Sequence, residues 1–299
     1  MAAVYALLAA GFFAAALVTT QFGLRHMDGL AGAKISVPSA AGLLWVLLPF
    51  GGIGGGGGSG GLMGWSLPGA GVFAALGLFF PAAVTLLAYE ANRRMGPTIA
   101  GAIGSTAPLF AVLGAVLFLG ETLGLMQIGA TLAIVAGSVV LVWRGAGVPA
   151  GDAGHAGVSW VSGVAWLAAA LRALAQVIAK AGLLLWPNPY AAVLLGYTVS
   201  ALVIWIIGAF SRRPASRVYT ARGIVWFGLT GLFNSAGVLA LYTALDQGAV
   251  NVVSPIAASY PLFTLVINAV ILREERLSAR LGGGVALMVS GVAVLLLYK

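Results

Sequence analysis

The chain has no cysteine and very little charge, and both absences restrict what it does. Without cysteine it has no disulfides, thiolate metal sites or cysteine nucleophiles. Its two histidines, His26 and His155, have no second imidazole at ligand spacing, so we expect no metal and no cofactor. Only 7% of the 299 residues are charged, against about 25% in a soluble domain. With 61% apolar residues, the composition predicts an integral membrane protein.

Long apolar runs fill most of the sequence. A helix needs roughly 20 apolar residues to cross about 30 Å of hydrocarbon. The runs are continuous rather than alternating, which favours helices over a barrel. The first run follows no Lys or Arg and precedes nine others, so we interpret it as a retained helix. The glycine-rich segment Gly51–Gly61 is predicted to be a loop. The sequence therefore predicts an all-α membrane protein with ten transmembrane helices at 2–24, 30–51, 69–92, 96–119, 124–144, 158–181, 188–210, 222–245, 249–271 and 278–298.

The two halves of the chain repeat one another. Shifted by 153 residues, the sequence aligns without a gap over 86–142, so that Tyr89 falls on Tyr242, and a weaker shift of 159 lays the first span on the sixth. We predict two five-helix repeats, 1–145 and 157–299. Because five is odd, the second repeat enters the membrane from the opposite side. Inverted repeats around a central cavity are typical of transporters.

The charges agree with this topology. One predicted membrane face carries most of the 15 basic residues, while the other has Lys180 and Lys299 against Glu121 and Asp246. By the positive-inside rule the basic face is cytoplasmic, which places both termini outside. The net charge of +8 is thus assigned to topology and not to nucleic-acid binding. We predict a multi-pass protein of the cell (inner) membrane that is a monomer or a weak oligomer.

A short motif recurs in the two halves, as Pro108-Leu109-Phe110…Leu119-Gly120-Glu121…Gly129 and as Pro261-Leu262-Phe263…Leu272-Arg273-Glu274…Gly282. This pattern resembles the EamA-type unit of the ten-helix transporters in the drug/metabolite transporter superfamily, and the likeness covers both halves. The resemblance implies export or exchange of small metabolites, amino acids and aromatic amino acids among them, through a cavity between the repeats.

The chain differs from that pattern in two respects. Many relatives have both termini in the cytoplasm, which conflicts with the charge distribution here. Relatives also often carry Trp early in the first and sixth spans and Lys eight residues later. At those positions this chain has Phe13 and Gln21, then Arg172 and Lys180.

Arg172 lies near the middle of the sixth span, where a charge costs at least about 2.5–3.5 kcal/mol. No Asp or Glu lies deep in any predicted span. A guanidinium that faces a cavity would be available for a substrate carboxylate, which it binds bidentately. The alternative is that Arg172 snorkels or caps neighbouring carbonyl groups.

Pro108 and Pro261 fall at the centres of the fourth and ninth spans, where each removes a backbone donor. We predict hinges there, with an ordinary packing kink as the alternative. Other polar or aromatic side chains near mid-depth are candidates for substrate binding: Phe13, Phe79, Phe80, Ser105, Thr106, Trp166, Asn234, Ser254 and Tyr260. For any single aromatic residue, packing or lipid contact is the alternative.

Two structural expectations complete the sequence analysis. Glu121 and Glu274 are each predicted to complement the N-terminal dipole of the next helix. Small residues at helical spacing, including Gly129, Gly137 and Gly282, predict that the fifth and tenth spans pack together as a scaffold.

These features predict a secondary transporter that exports amino-acid-like metabolites by alternating access, with a small-molecule substrate and the lipid bilayer as its partners. The alternative is a multidrug exporter of lipophilic compounds or another small-metabolite exchanger. A proton-driven exporter of cations needs a carboxylate inside the membrane, and none lies deep in any predicted span. No catalytic constellation appears at membrane depth, so an enzyme is not expected.

Overall fold

The computed structural model describes residues 1–50, 66–142, 158–210, 219–267, 269 and 279–297. Within these ranges the chain is helical and contains no strand. The predicted loop Gly51–Gly61 and the acid Glu274 lie outside the described residues. The helices are α1 (Ala2–Leu24), α2 (Gly29–Leu47), α3 (Leu67–Gly77), α4 (Ala82–Gly104), α5 (Ala107–Leu119), α6 (Leu125–Val142), α7 (Val158–Leu185), α8 (Pro189–Phe210), α9 (Ala221–Gln247), α10 (Val250–Ala257), α11 (Tyr260–Ile267) and α12 (Ala279–Leu297).

Ten apolar helical segments confirm the predicted fold class. Eight of them are long and apolar enough to cross a membrane, and two shorter apolar helices are Ala107–Leu119 and Leu125–Leu141. They follow the order of the ten predicted spans. Three of the predicted spans are composite, since the third contains the junction of α3 and α4, the fourth contains the junction of α4 and α5, and the ninth consists of α10 and α11.

The boundary predicted between the third and fourth spans, at 92–96, falls inside α4. The helical breaks lie instead at 78–81 and 105–106. At the first break Pro81 has no N–H to continue the helix. Ser200 of α8 bridges the gap, because its hydroxyl donates to the Gly77 carbonyl at 2.6 Å and lies 3.3 Å from the Ala82 nitrogen. The break is thus stabilised from the other half of the chain.

Helix contacts between the two halves occur in matched pairs. Helix α1 packs on α9, and its counterpart α7 packs on α3 and α4. Likewise α2 contacts α9 as α8 contacts α3, while α1 contacts α10 and α11 as α7 contacts α5. In two further contacts, α2 with α8 and α6 with α12, each helix packs on its own counterpart in the other repeat. This arrangement is what two repeats related by a pseudo-two-fold axis produce.

The pairing of α1 with α9 is antiparallel and very close. Near the end of α1, a Cβ on Gly23 would lie 2.9 Å from Cε2 of Phe227, close to the start of α9. At the other end of the pair, a Cβ on Gly248 would lie 2.7 Å from Cβ of Ala2. Glycine allows the two helices to approach at this distance. The two halves therefore interlock and do not merely lie side by side.

Helices α6 and α12 pack against each other, as the sequence predicted. A Cβ on Gly137 would lie 2.8 Å from the Gly284 carbonyl oxygen, and one on Gly291 would lie 2.7 Å from the Ala130 oxygen. Gly129 and Gly282 face open space instead. The pair of helices was thus predicted correctly, but two of the glycines assigned to the interface lie away from it.

Candidate functional site

A small space, too narrow to admit a water molecule, lies between the two repeats, where the α3–α4 junction meets α8 and α9. Its wall is mostly apolar, with two phenol rings among the lining residues. It is therefore far smaller than the roughly 300–1,000 Å³ of typical ligand sites. A substrate therefore requires the helices to separate. The lining residues are Phe80, Pro81, Ala192, Val193, Gly196, Tyr197, Val238 and Tyr242.

Tyrosines from both repeats meet around this space. Tyr197 of α8 and Tyr242 of α9 are each 3% exposed, and neither hydroxyl has a hydrogen-bond partner among the described residues. Tyr89 of α4 lies near Tyr197, and its phenol is within hydrogen-bonding reach of the hydroxyls of Thr20 and Ser36. The shift of 153 residues pairs Tyr89 with Tyr242, which was the one sequence signal for this cluster.

Hydroxyl groups continue from the tyrosines along the junction of α1 and α9. Thr230 Oγ1 lies 3.0 Å from Thr19 Oγ1 and 3.5 Å from Thr20 Oγ1. Asn234 lies one turn beyond Thr230 on the same face of α9, with Val238 of the cavity wall one turn further. Its side chain is half-buried, with no hydrogen bond to any described residue. Asn234 is therefore a polar group on the inward face beside the cavity.

Arg172 is centred on the inward face of α7. The positions three, four and seven residues away on its side of the helix are buried, whereas the opposite side carries exposed leucines. Arg172 itself is half-buried and forms no ion pair or hydrogen bond with any described residue. One turn along, Gln176 is 8% exposed and its Oε1 has no partner in the described part of the chain. The buried neighbours on this face are Ala165, Ala168, Ala169, Gln176, Ala179 and Leu183.

The two prolines begin helices and do not kink them. Pro108 lies in the first turn of α5 and Pro261 in the first turn of α11, where a proline removes no intrahelical hydrogen bond. The alternative of an ordinary mid-helix kink does not describe this geometry, because each span is broken just before its proline. The hinge itself remains a prediction.

The two breaks also have the same local structure. The Thr106 hydroxyl donates to the Ile103 carbonyl at 2.7 Å, and the equivalent Ser259 hydroxyl donates to the Ile256 carbonyl at 2.7 Å. Three residues later, the backbone N–H of Leu109 donates to the Thr106 carbonyl and that of Leu262 donates to the Ser259 carbonyl, at 3.0 Å in each repeat. Repeat symmetry thus extends to single hydrogen bonds.

The remaining predicted polar residues lie close to these breaks. Ser105 is fully buried at the break between α4 and α5, where it precedes Thr106. Ser254 of α10 is 1% exposed, and its Oγ has no partner among the described residues. Tyr260 begins α11 and is half-buried. All four belong to the broken helices, but the structure does not bring them into contact with the small central space.

The predicted aromatic residues divide between the interior and the outer surface. Phe80 lines the central space, and Phe79 precedes it in the α3–α4 break. Phe13 packs on α9, where a Cβ on Gly237 would lie 2.7 Å from its Cε1. Trp166 is 44% exposed and contacts the ring of Phe110 edge-on, with 6.0 Å between the ring centroids. Trp166 therefore lies on the outer surface and not in the cavity wall.

Glu121 caps a helix of the other repeat, which corrects the sequence prediction. Its two carboxylate oxygens accept hydrogen bonds from the backbone nitrogens of Val250 at 2.7 Å and Asn251 at 2.9 Å. These are the first residues of α10 and not of the next helix, α6. A carboxylate at a helix N-terminus satisfies unpaired N–H groups and the positive end of the dipole. Glu121 thereby connects the two repeats.

Lys180 makes the complementary contact at the same end of the molecule. Its Nζ donates to the carbonyl oxygens of Leu245 at 2.6 Å and Gly248 at 3.0 Å, at the end of α9. It also interacts electrostatically with Glu121 and Asp246. The carboxylate thus holds the start of α10 while the ammonium holds the end of α9. Together they fix the α9–α10 connection to both repeats.

Each end of the interface between the repeats is closed by an aromatic ring on a glycine. Phe227 packs on Gly23 at one end, where the end of α1 meets the start of α9. At the Lys180 end, a Cβ on Gly182 would lie 2.6 Å from Cε1 of Phe73. Both rings are fully buried.

This pair of contacts again follows the repeat. The shift of 159 residues places Gly23 on Gly182, and Phe73 and Phe227 are equivalent to within one residue of the shift of 153. These contacts were not predicted from the sequence.

Comparison with known proteins agrees with the fold. The sequence matches the EamA-like transporter family over residues 1–143 and 159–297. No curated protein matches the sequence. A solved structure titled "Crystal structure of protein" aligns with a TM-score of 0.76 over 99% of this chain and 96% of that chain, at 17% identity. At that identity the likeness concerns the fold alone. Because the family match covers both repeats, the chain belongs to the EamA-like transporter family.

Proposed function

We propose that this chain exports small amphoteric metabolites, first of all neutral and aromatic amino acids, by alternating access. Membership of the family makes the chain a multi-pass membrane transporter of small molecules and not an enzyme. The amino-acid substrate rests on one observation above all, namely that Arg172 occupies the inward face of α7 without a protein partner among the described residues. An unpaired guanidinium between two repeats suits a substrate carboxylate, which forms two parallel hydrogen bonds with it.

Other polar and aromatic groups, which we propose are brought together with Arg172 when the repeats separate, supply the rest of an amphoteric site. The unpartnered oxygens of Gln176 and Ser254 are suited to accept hydrogen bonds from an ammonium group. Asn234 adds an amide beside the central space, and Phe80 with the two tyrosines offers aromatic surface. Phe13 packs on Gly237, next to Val238 of the cavity wall, and Phe79 precedes Phe80 in the chain. In this proposal the substrate fills the central space once the repeats separate.

The two aromatic–glycine contacts act as the gates. Phe227 on Gly23 closes one end, and Phe73 on Gly182 closes the other. Because the contacts are equivalent in the repeats, opening one while keeping the other gives the two access states that transport requires. Pro108 and Pro261, which start the second halves of the broken spans, serve as the hinges. The basic end faces the cytoplasm of the cell (inner) membrane, with both termini outside.

Transport by purified protein in proteoliposomes tests this proposal. We expect uptake of labelled aromatic amino acids, and a KM about 10- to 100-fold higher for Arg172→Ala, the factor that the loss of a charged hydrogen-bonded pair produces. Arg172→Lys retains the charge without the planar fork and is expected to give an intermediate KM. The matched control is Arg280→Ala, an exposed arginine at the start of α12 that contacts the Val140 carbonyl at 3.4 Å.

Two results would contradict the proposal. Unchanged amino-acid transport by Arg172→Ala would remove Arg172 from substrate binding. Transport of uncharged lipophilic compounds at rates that Arg172→Ala does not alter would favour the multidrug alternative, which the apolar lining of the central space would suit. Equal thermal stability of the two alanine variants shows that any difference in transport is not due to misfolding.

A further inference from the structure

A cleft of about 520 Å³ opens where the end of α1 meets the start of α9, away from the central space. His26 and Arg222 lie at its polar mouth, and Ala221, Val225 and Trp226 form the wall. Arg222 is exposed, so its guanidinium is accessible from outside the protein. The cleft therefore combines a cationic mouth with a mostly apolar wall.

A row of aromatic rings and a second cation continue this surface. Phe22 and Trp226 stack with 4.9 Å between their ring centroids. Arg25 lies over the Phe22 ring, with its Cζ 5.0 Å from the ring centroid. A cation over an aromatic face is attracted by the ring quadrupole, which fixes its position. Arg25 therefore lies against the stack, and Arg222 lines the cleft together with Trp226 of that stack.

The apolar part of the surface continues along α9. Ile224 is 45% exposed and Val225 is 60% exposed, on the side of the helix that faces away from the core. In a membrane-spanning helix, such side chains contact acyl chains. Trp residues at this level are typical of the membrane–water interface. The polar mouth is therefore continuous with a surface that acyl chains cover.

We propose that this cleft binds the headgroup of an anionic phospholipid. The phosphodiester binds to Arg222, with His26 as an additional hydrogen-bonding group, Arg25 adding positive charge on the same surface, and an acyl chain along Val225 and Trp226. An arginine binds phosphate oxygens bidentately, and basic pockets between transmembrane helices suit anionic headgroups. A soluble anion would satisfy the cations but leave the apolar wall uncovered. The continuous apolar wall therefore favours a lipid.

Lipid binding to the purified full chain tests the site. The protein in a neutral detergent is titrated with phosphatidylglycerol or with phosphatidylcholine, and the stabilisation against heat gives each affinity. We expect phosphatidylglycerol to bind at least about fivefold more tightly, since one cation near the headgroup supplies about that factor. Arg222→Gln should lose most of this preference. The control Arg280→Gln, at an arginine outside the cleft, should retain it.

A second measurement locates the lipid without depending on the stability of Arg222→Gln. Brominated phosphatidylglycerol should quench the tryptophan fluorescence of the protein more than brominated phosphatidylcholine does, and Trp226→Phe should remove that difference. Equal affinity for the two lipids, or an equal loss in both arginine variants, would overturn the proposal. Inorganic phosphate that displaces phosphatidylglycerol at millimolar concentration would also overturn it, because the site would then recognise a soluble anion.

Discussion

Replacing Glu121 with glutamine removes a contact that connects the first repeat to the start of α10. The carboxylate accepts from two backbone nitrogens, those of Val250 and Asn251, at 2.7 and 2.9 Å. Glutamine is almost the same size but has only one acceptor oxygen. Its amide nitrogen would therefore face an N–H group where an acceptor is needed. The substitution breaks one hydrogen bond, weakens the other and removes the charge at the helix N-terminus.

The size of the effect follows from these contacts. A hydrogen bond to a charged group contributes about 1.5–3 kcal/mol, and a carboxylate at a helix N-terminus contributes about 0.3–1 kcal/mol more. Glu121→Gln should therefore lower the free energy of unfolding by about 2–4 kcal/mol. Reversible unfolding in mixed micelles of a mild and a denaturing detergent measures this free energy.

Asp246→Asn provides the matched control. Asp246 is half-buried in the same cluster and interacts electrostatically with Lys180, but it makes no hydrogen bond to any described residue. Removing its charge should cost less than about 1 kcal/mol, as for a partly exposed ion pair. If the two variants lose the same stability, the net charge of the cluster matters and the cap on α10 does not, which would refute this reasoning.

Two further predictions concern the gates and the scaffold. Because the chain has no cysteine, a single cysteine introduced as Val238→Cys in the cavity wall reports whether a membrane-impermeant thiol reagent reaches the cavity. We expect the additional change Phe227→Ala to make this cysteine accessible from the basic side, and Phe73→Ala to make it accessible from the opposite side. Labelling from the same side in both variants would exclude paired gates. Gly137→Ala places a methyl group 2.8 Å from a backbone oxygen of α12, so the melting temperature of this variant should fall by several degrees. The control Gly129→Ala, whose methyl group faces open space, should leave the melting temperature unchanged. Equal effects of the two substitutions would contradict the close packing of α6 and α12.

Some features of the fold follow from local sequence properties. Runs of about 20 apolar residues are sufficient to predict membrane spans because the length of hydrocarbon to be crossed is fixed. The repeated motif at Pro108 and Pro261 predicted the positions of the breaks, since proline acts on its own helix. Small residues at helical spacing predicted that α6 and α12 pack together. Each of these inferences needs only residues that are close in sequence.

Contacts between distant residues were predicted less well. Glu121 was expected to cap the helix that follows it, but it caps α10, which only the interlocking of the repeats brings within reach. The tyrosines around the central space and the rings of Phe73 and Phe227 were not identified, although the repeat aligned their positions. Trp166, a candidate for substrate binding, lies on the outer surface, which was the alternative given for each aromatic residue.

The physical reason is that a membrane helix is apolar on all sides, so its sequence gives its depth but not its rotation. The sequence by itself determined how many times the chain crosses the membrane, that its halves repeat and where its helices break. The tertiary structure decided which face of each helix turns inward, and with it the partner of Glu121 and the inward position of Arg172. Rotation and partner choice depend on packing between helices more than 100 residues apart in sequence, such as α1 with α9.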